Sequence, residues 1–283
     1  MNIQNSPAGV RVTGIKRFDL EQTLECGQCF QFARRADGAW HGVADGREAV
    51  LHALPDGVWL EGVDAAAFEQ FWRRYLDLDR DYDAICTAFL ERPALRSSAV
   101  LRECVAYAPG IRILQQPAWE ALVGFLMSQN NHLARIKGIV QRLCRRFGEP
   151  VGEGWAFPAP ETLARLEEAD LAELRCGWRA AYLLDAARQV ADGTLDLEAV
   201  AQLPLSEART QLQRISGVGP KVAECVLLYG MGRLEAFPLD VWMRRAMAQL
   251  FEGLTPADFG AYAGIAQQYI FYYCRCHAEQ LRQ

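Results

Sequence analysis

A chain of 283 residues with 51% hydrophobic content has enough apolar material for one large or two modest buried cores. Its formal charge of -5 excludes a generally basic nucleic-acid binder, so any such affinity must come from local features. The N-terminus lacks a signal-peptide pattern and no apolar run has the length of a membrane span, so we expect a cytoplasmic, monomeric protein. Nine cysteines, an odd number, favour reduced thiols over a disulfide framework.

The first sixty residues have the pattern of β-strands. Val10 with Val12, and Phe30 with Phe32, alternate with polar or small neighbours. Three Asp-Gly pairs, which are typical of tight hairpin turns, occur at residues 37–38, 45–46 and 56–57. This region therefore predicts an antiparallel meander.

From Asp64 the pattern becomes helical. Phe68, Phe71, Trp72 and Tyr75 recur at three- and four-residue steps, and helical periodicity continues after about Pro117. We therefore predict an α+β fold, in which a small antiparallel-sheet domain packs on a larger all-helical domain. The predicted domains are residues 1–110 and 111–283, and the cleft between them is the expected site.

Two short helical patterns joined by glycines occupy residues 205–225. Gly217 and Gly219 break the first helix and permit positive φ and close approach, and Pro220 suits the first position of the second helix. Free amides at this hairpin form an anion site, for which a phosphodiester is the expected ligand.

Lys221 lies at the start of that second helix. The helix dipole and burial both disfavour the ammonium there, so a neutral, nucleophilic amine is expected. The chain has only three lysines (Lys16, Lys137 and Lys221) among 30 basic residues. Arginine provides most of the positive charge in this chain and cannot give up its proton, whereas lysine can. The choice of lysine at this position therefore predicts a catalytic role. A solvated lysine that contacts a phosphate is the simpler alternative.

Asp240 follows nineteen residues later, after the Phe237-Pro238 break and before another amphipathic pattern. Its position predicts a helix N-cap. The same carboxylate is able to stabilise a developing positive charge in a site shielded from water.

The run ISGVGPK at residues 215–221, followed by PLDV at 238–241, resembles the signature of the helix-hairpin-helix DNA glycosylases, in which the lysine marks the branch with lyase activity. Within that superfamily the chain most resembles the 8-oxoguanine DNA glycosylases, from about Thr23 to Phe271. The other segments that resemble the family are LECGQCFQF (24–32), SQNNHLARI (128–136), GWRAAY (177–182) and GAYAGIAQQYIF (260–271).

The resemblance implies a slot for the flipped base. In it the Gly27 carbonyl accepts the N7 hydrogen that only the oxidised base has, and ordinary guanine is rejected because two acceptors would face each other. Gln267 bonds the Watson-Crick edge, Phe271 stacks on one face, and Cys225 lies on the other. Without the resemblance, a turn glycine and ordinary core packing account for these residues.

The resemblance also implies a DNA-binding set. Asn130 and Arg135 fill and read the gap left by the base, and Trp178 inserts as a wedge beside the opposite base, which Arg179 bonds. The backbone contacts are assigned to Gly217, Gly219 and Arg244. The chain departs from the family pattern at two positions, with His132 in place of an asparagine and Trp242 in place of a histidine near the lesion phosphate.

The implied function is a bifunctional glycosylase and lyase for base excision repair, with duplex DNA containing an oxidised purine as partner. It acts through Lys221 and Asp240 without a cofactor. No metal is expected, because only Cys274 and Cys276 follow Asp240, too few for the iron-sulfur cluster of related enzymes. The alternatives are a monofunctional alkylpurine glycosylase and a non-catalytic DNA-binding module.

Overall fold

The computed structural model describes residues 1–281. Its main sheet has six antiparallel strands in the order β1-β2-β6-β5-β4-β3, and β7 and β8 form a separate ribbon. The strands are β1 (Asn2–Ser6), β2 (Gly9–Thr13), β3 (Ala33–Arg34), β4 (Trp40–Ala44), β5 (Arg47–Leu54), β6 (Gly57–Glu61), β7 (Pro150–Val151) and β8 (Gly154–Trp155).

Helices make up most of the chain after Asp64, so the predicted α+β class is confirmed. The α-helices are α1 (Leu20–Glu25), α2 (Ala65–Ala67), α3 (Arg73–Tyr75), α4 (Tyr82–Leu90), α5 (Ala99–Tyr107), α6 (Ala118–Ser128), α7 (Leu133–Phe147), α8 (Pro160–Ala164), α9 (Arg179–Ala191), α10 (Leu197–Gln202), α11 (Leu205–Leu212), α12 (Pro220–Cys225), α13 (Val241–Leu250) and α14 (Ala263–Cys276). None of the helices within residues 1–281 has the length and apolar character that crossing a bilayer requires.

The predicted meander is present from β3 to β6. The β4–β5 turn has positive φ at Asp45 (50°) and Gly46 (66°), as a two-residue hairpin of matching twist requires. The strand prediction was wrong between β2 and β3, where the side chain of Asp19 caps α1 by accepting from the Gln22 amide at 2.8 Å. Phe30 and Phe32 lie outside any strand.

The side chains of Phe30 and Phe32 point to opposite sides of their segment because they pack into two different cores. Phe32 packs with the sheet against Trp72, at 6.4 Å between ring centroids, and Phe30 packs among the helices against Phe125 at 5.5 Å. Any extended segment points successive side chains to opposite sides, so this period of two did not require a strand. Residues 24–32 thus join the two cores.

The division at residue 110 stays a prediction, and the last two residues of the predicted second domain lie outside the described part of the chain. Helices α4 and α5, which precede the predicted boundary, contribute buried side chains to the helical core. Leu114, which follows it, packs in the sheet core. Residues before the predicted boundary therefore pack in the helical core, and a residue after it packs in the sheet core.

A buried glutamine holds the segment between the cores. Nε2 of Gln28 donates to the carbonyls of Thr23 (2.8 Å) and Arg112 (2.7 Å), and its Oε1 accepts from the Leu114 amide (2.8 Å). Such a fully satisfied buried amide specifies one backbone path. It therefore determines the course of the chain next to Gly27.

A second buried polar contact joins the sheet to α6. Oε1 of Glu120 accepts from the Asp45 amide (2.8 Å), and its Oε2 accepts from Nε2 of Gln31 (2.9 Å). Burial is the main cause that raises the pKa of Glu120 from 4.5 to about 8. Because α6 ends at Ser128, this contact connects the β4–β5 turn with the helix that leads into the candidate site.

We expect Glu120 to make the protein less stable as pH rises. Its carboxyl binds its proton more strongly in the folded chain than in the unfolded one. Its contribution to the free energy of unfolding is therefore fully present below about pH 4.5 and is lost between pH 4.5 and about 8. In urea unfolding at a series of pH values, the free energy of unfolding of the wild type should fall as pH rises. Glu120→Gln should reduce that fall by an amount on the order of a few kcal/mol. Glu21→Gln, at an exposed position on α1, should leave the slope unchanged. Equal slopes for wild type and Glu120→Gln would contradict the assignment.

Candidate active site

The glycine hairpin connects α11 to α12 and lies against α9. Gly217 has φ of 82°, and a Cβ there would lie 2.1 Å from the Tyr182 ring, so both the conformation and the packing require glycine. Gly219 differs from the expectation. It has an extended backbone with φ of -85° as the N-cap of α12, with open space around it.

Within the described part of the chain, the amides of Gly217 and Gly219 donate to no protein acceptor, whereas the neighbouring Ser216 amide donates to Asp185 at 2.7 Å. Pro220 occupies the first helical position, where no amide hydrogen is needed. The hairpin therefore has two unused amide donors, and the surroundings of Gly219 are open. An anion there would satisfy them.

Lys221 is half-buried on the first turn of α12. Its Nζ lies 3.2 Å from Oγ of Ser128 and 5.2 Å from the centroid of the Phe125 ring. Among the ion pairs of residues 1–281 Lys221 has none, whereas Lys137 pairs with Glu25 at 2.7 Å. A hydroxyl and a ring face leave the nitrogen available in a way that a carboxylate partner would not.

Asp240 caps α13, as predicted. Its Oδ1 accepts from the Met243 amide at 2.8 Å. Asp240 and Lys221 line one cleft of about 570 Å³ without pairing with each other, which leaves space between them. The cleft is lined by residues from four segments: Ser128–Asn131, Gly219–Val222, Leu239–Trp242 and Arg244. The hairpin, α6 and the start of α13 thus bring the predicted amine and carboxylate to the same cavity.

The predicted base-binding residues lie outside the lining of that cleft. Gly27 has φ of 94°, and a Cβ on it would lie 3.7 Å from the Phe271 ring, so these two residues are neighbours. Gln267 is 3% exposed, and its Oε1 has no hydrogen-bond partner among residues 1–281. Cys225 is buried one turn after Lys221, and burial raises the pKa of its thiol to about 11. The thiol is therefore neutral and apolar in character.

The predicted DNA-binding residues fall into exposed and buried groups. Trp178 is 51% exposed at the start of α9, which suits a wedge. Asn130 is exposed with φ of 46°, and Arg135 and Arg244 are also exposed. Exposure makes these side chains accessible to a ligand, although Nη2 of Arg135 also donates to the Arg175 carbonyl at 3.4 Å.

Arg179 is different, because it is 3% exposed and bound to backbone. It donates to the carbonyls of Cys176 (3.1 Å), Gln129 (3.0 Å from Nε) and Asn130 (3.2 Å). In this structure these bonds support the loop that carries Asn130, and one N–H of Nη1 lies outside the set. His132, the departure from the family pattern, caps α7 by accepting from the Arg135 amide at 3.4 Å.

Sequence reasoning missed Glu224 and Ser128. Glu224 is 8% exposed, pairs with Arg209, and accepts from the Phe237 amide at 2.7 Å. It therefore holds the strand-like segment before Asp240 against α12, which carries Lys221. The available signal was that Glu224 is a single acidic residue within an apolar run. A buried carboxylate of this kind is rarely without a partner, so an ion pair was to be expected. Within residues 1–281 no group of three or more His, Cys, Asp or Glu side chains is arranged to hold a metal ion.

Comparisons with known proteins find matches over both parts of the chain. The 8-oxoguanine DNA glycosylase N-terminal domain matches residues 12–122, and the helix-hairpin-helix superfamily of base excision DNA repair proteins matches residues 123–256. A Clostridium acetobutylicum 8-oxoguanine glycosylase/lyase, solved with duplex DNA that has cytosine opposite 8-oxoguanine, is 32% identical with a TM-score of 0.90. That similarity covers 98% of this chain and 99% of the clostridial one.

Two curated relatives match over shorter segments. An N-glycosylase/DNA lyase of Saccharomyces cerevisiae is 37% identical over 152 residues, which are 48% of this chain and 40% of the yeast protein. A putative DNA-3-methyladenine glycosylase of Bacillus subtilis is 30% identical over 142 residues, half of each chain. The chain thus spans half or less of the length of these two relatives. From the two domain matches and the full-length structural similarity, the chain belongs to the 8-oxoguanine DNA glycosylase family of the helix-hairpin-helix superfamily.

Proposed function

We propose that this protein is a bifunctional DNA glycosylase and lyase that flips 8-oxoguanine out of duplex DNA, excises it, and cuts the strand at the resulting abasic site as a monomer. The main support is the placement of Lys221 and Asp240 on one cleft, with the amine free of any carboxylate partner. Family membership supports the reaction class.

The chemistry begins with departure of the base. As the bond between C1′ and the base nitrogen breaks, the electron pair leaves with the base and positive charge develops on the sugar, which the Asp240 carboxylate stabilises. Nζ of Lys221 then forms a bond to C1′ and loses a proton to the departed base, which carries the electron pair of the broken bond. As the C1′–O4′ bond breaks, O4′ takes up that proton and the lone pair of Nζ completes a protonated imine. The imine acidifies the C2′ hydrogen, which passes as a proton to the departed base, and the electron pair left behind forms the C2′–C3′ double bond and expels the 3′ phosphate.

Base selection is assigned to the pair of neighbours Gly27 and Phe271, with Gln267. The Gly27 carbonyl accepts from N7–H of the oxidised base, and Phe271 stacks on its face. Gln267 supports this role because a buried acceptor without a partner is unfavourable by about 1–3 kcal/mol. A donor on the Watson-Crick edge of the base would remove that penalty.

DNA affinity is assigned to local features, since the chain is acidic overall. The hairpin amides bind a phosphate, Arg244 adds charge beside the cleft, and Trp178 inserts as a wedge beside the opposite base. Asn130 and Arg135 fill the gap left by the flipped base, and Arg179, which also binds the Asn130 carbonyl, bonds the opposite base. Few cationic contacts imply that affinity falls with salt at a modest slope.

The test is borohydride trapping with a panel of duplexes: 8-oxoguanine opposite each of the four bases, an abasic site, an alkylated purine, and undamaged DNA. We expect covalent trapping and strand cleavage with 8-oxoguanine and with the abasic site, and neither with undamaged DNA. Release of alkylated purine without trapping would instead identify a monofunctional alkylpurine glycosylase. Binding without any cleavage would identify a DNA-binding module.

A further inference from the structure

Arg275, on the last turn of α14, reaches across to the end of α1. Its Nη2 donates to the carbonyl of Glu25 at 2.7 Å. Glu25 is the last residue of α1, so its carbonyl lacks a partner within that helix and lies at the negative end of the helix dipole. A guanidinium at this position provides both a hydrogen bond and a favourable charge. Charge-assisted bonds of this kind are among the stronger ones in proteins.

The same guanidinium lies between the Gly27 turn and the aromatic rings of α14. Its Nη1 is 3.2 Å from the position that a Cβ on Gly27 would occupy. Its central carbon is 5.7 Å from the centroid of the Phe271 ring and 5.1 Å from that of Tyr272. Arg275 therefore contacts the backbone turn and the stacking ring at once.

Gln268 provides a second connection from the same helix. Its Nε2 donates to the Cys26 carbonyl at 3.3 Å, and its Oε1 accepts from the Tyr229 hydroxyl. Gln268, Phe271 and Arg275 are spaced i, i+3 and i+7, so they share one face of α14. The turn over residues 25–27 is thus attached to that face through two successive carbonyls, those of Glu25 and Cys26, and Phe271 lies between the two side chains that bind them.

We propose that Arg275 is a positioning residue for lesion recognition, which sets the distance between the Gly27 carbonyl and the Phe271 ring and so determines how well the enzyme distinguishes 8-oxoguanine from guanine. The proposal rests on the proposed function. Its physical basis is that an N–H···O bond is strong only over a few tenths of an ångström, whereas a stacked ring tolerates larger shifts. A turn that moves away from Phe271 loses the bond on which discrimination depends and keeps the stacking.

The test is Arg275→Met, which keeps much of the side-chain volume and removes the bond to Glu25. We expect kcat/KM for 8-oxoguanine opposite cytosine to fall by about tenfold to a hundredfold, as for a misplaced contact group. The loss should be mainly in kcat, because the DNA contacts are unchanged. Cleavage of a duplex that already contains an abasic site should stay at the wild-type rate, because no base occupies the slot.

Two further variants make the result specific. Arg275→Lys retains one cationic donor for the Glu25 carbonyl and should recover a large part of the lost activity. Arg34→Met removes another arginine that contacts α1, through an exposed ion pair with Glu21, and should behave as wild type. Thermal unfolding of all three variants reports whether the fold is intact.

The outcomes separate this proposal from the proposed function. If the wild type fails to trap on abasic DNA, the proposed function is wrong whatever Arg275 does. If the wild type is active and Arg275→Met loses 8-oxoguanine and abasic-site activity equally, Arg275 has only a structural role and the inference is overturned. Unchanged excision of 8-oxoguanine, or a lysine variant no better than methionine, would also overturn it.

Discussion

Lys221→Gln is expected to abolish borohydride trapping and strand cleavage while DNA binding stays close to that of the wild type. An amide nitrogen is not a nucleophile, so no covalent bond to C1′ forms. In the wild type, Nζ of Lys221 lies 3.2 Å from Oγ of Ser128. A glutamine amide is also a hydrogen-bond donor to that hydroxyl, so we expect the cleft to keep its shape. Trapping on abasic DNA and a binding titration with an uncleavable abasic analogue measure the two effects separately.

The chain provides its own control for this experiment, because it contains only three lysines. Lys137 pairs with Glu25 next to the recognition turn, but Lys16 is exposed on the loop after β2. Lys16→Gln should trap like the wild type. A covalent product that persists in Lys221→Gln would show that another amine attacks the sugar, and the assignment of Lys221 would be wrong.

Asp240→Asn is expected to slow release of 8-oxoguanine by about a hundredfold to a thousandfold, the usual effect of losing one preorganised electrostatic group. Asparagine is as good an N-cap as aspartate, so its side-chain oxygen continues to accept from the Met243 amide and α13 keeps its start. The substitution thus removes the charge and retains the local fold. Single-turnover excision, measured with enzyme in excess over the duplex, reports the step directly.

Asp196→Asn provides a matched control at another helix start. The Asp196 side chain accepts from the amides of Glu198 (2.9 Å) and Ala199 (3.0 Å) as the N-cap of α10, outside the cleft lining. The Asp196→Asn variant should release 8-oxoguanine at the wild-type rate. Asp240→Asn should also still trap on pre-formed abasic DNA, since the base has already left. A wild-type rate of base release in Asp240→Asn would refute the electrostatic role.

Local chemistry explains why the hairpin and the helix starts at Pro220 and Asp240 were predictable. Gly217 needs positive φ, Pro220 fits only the first turn of a helix, and Asp240 precedes an amphipathic run. Each of these is a property of a few consecutive residues. The same reasoning failed for Gly219, which has open surroundings and the extended φ of a helix N-cap in place of a positive φ and a close contact.

Contacts between residues far apart along the chain were the ones that sequence reasoning missed. The predicted base contact of Arg179 stays a prediction, and its bonds to carbonyls about fifty residues earlier had no signal in the sequence. Glu224 and Arg275 drew no attention, although one supports the segment before Asp240 and the other binds Glu25 at a separation of 250 residues. Helix α1 was missed because its six residues are too few to establish a helical period.

The sequence by itself determined the α+β class and the hairpin, and it was enough to propose Lys221 and Asp240 as the reactive pair, because periodicity, glycine and proline geometry and side-chain chemistry are local properties. The tertiary structure decided that Lys221 and Asp240 share a cavity with Ser128, that Arg179 binds the Asn130 carbonyl, and that the Gly27 turn is attached to α14. These relations depend on how α6, α12 and α14 pack against one another. Packing of that kind brings together groups whose separation along the chain carries no information about their distance in space.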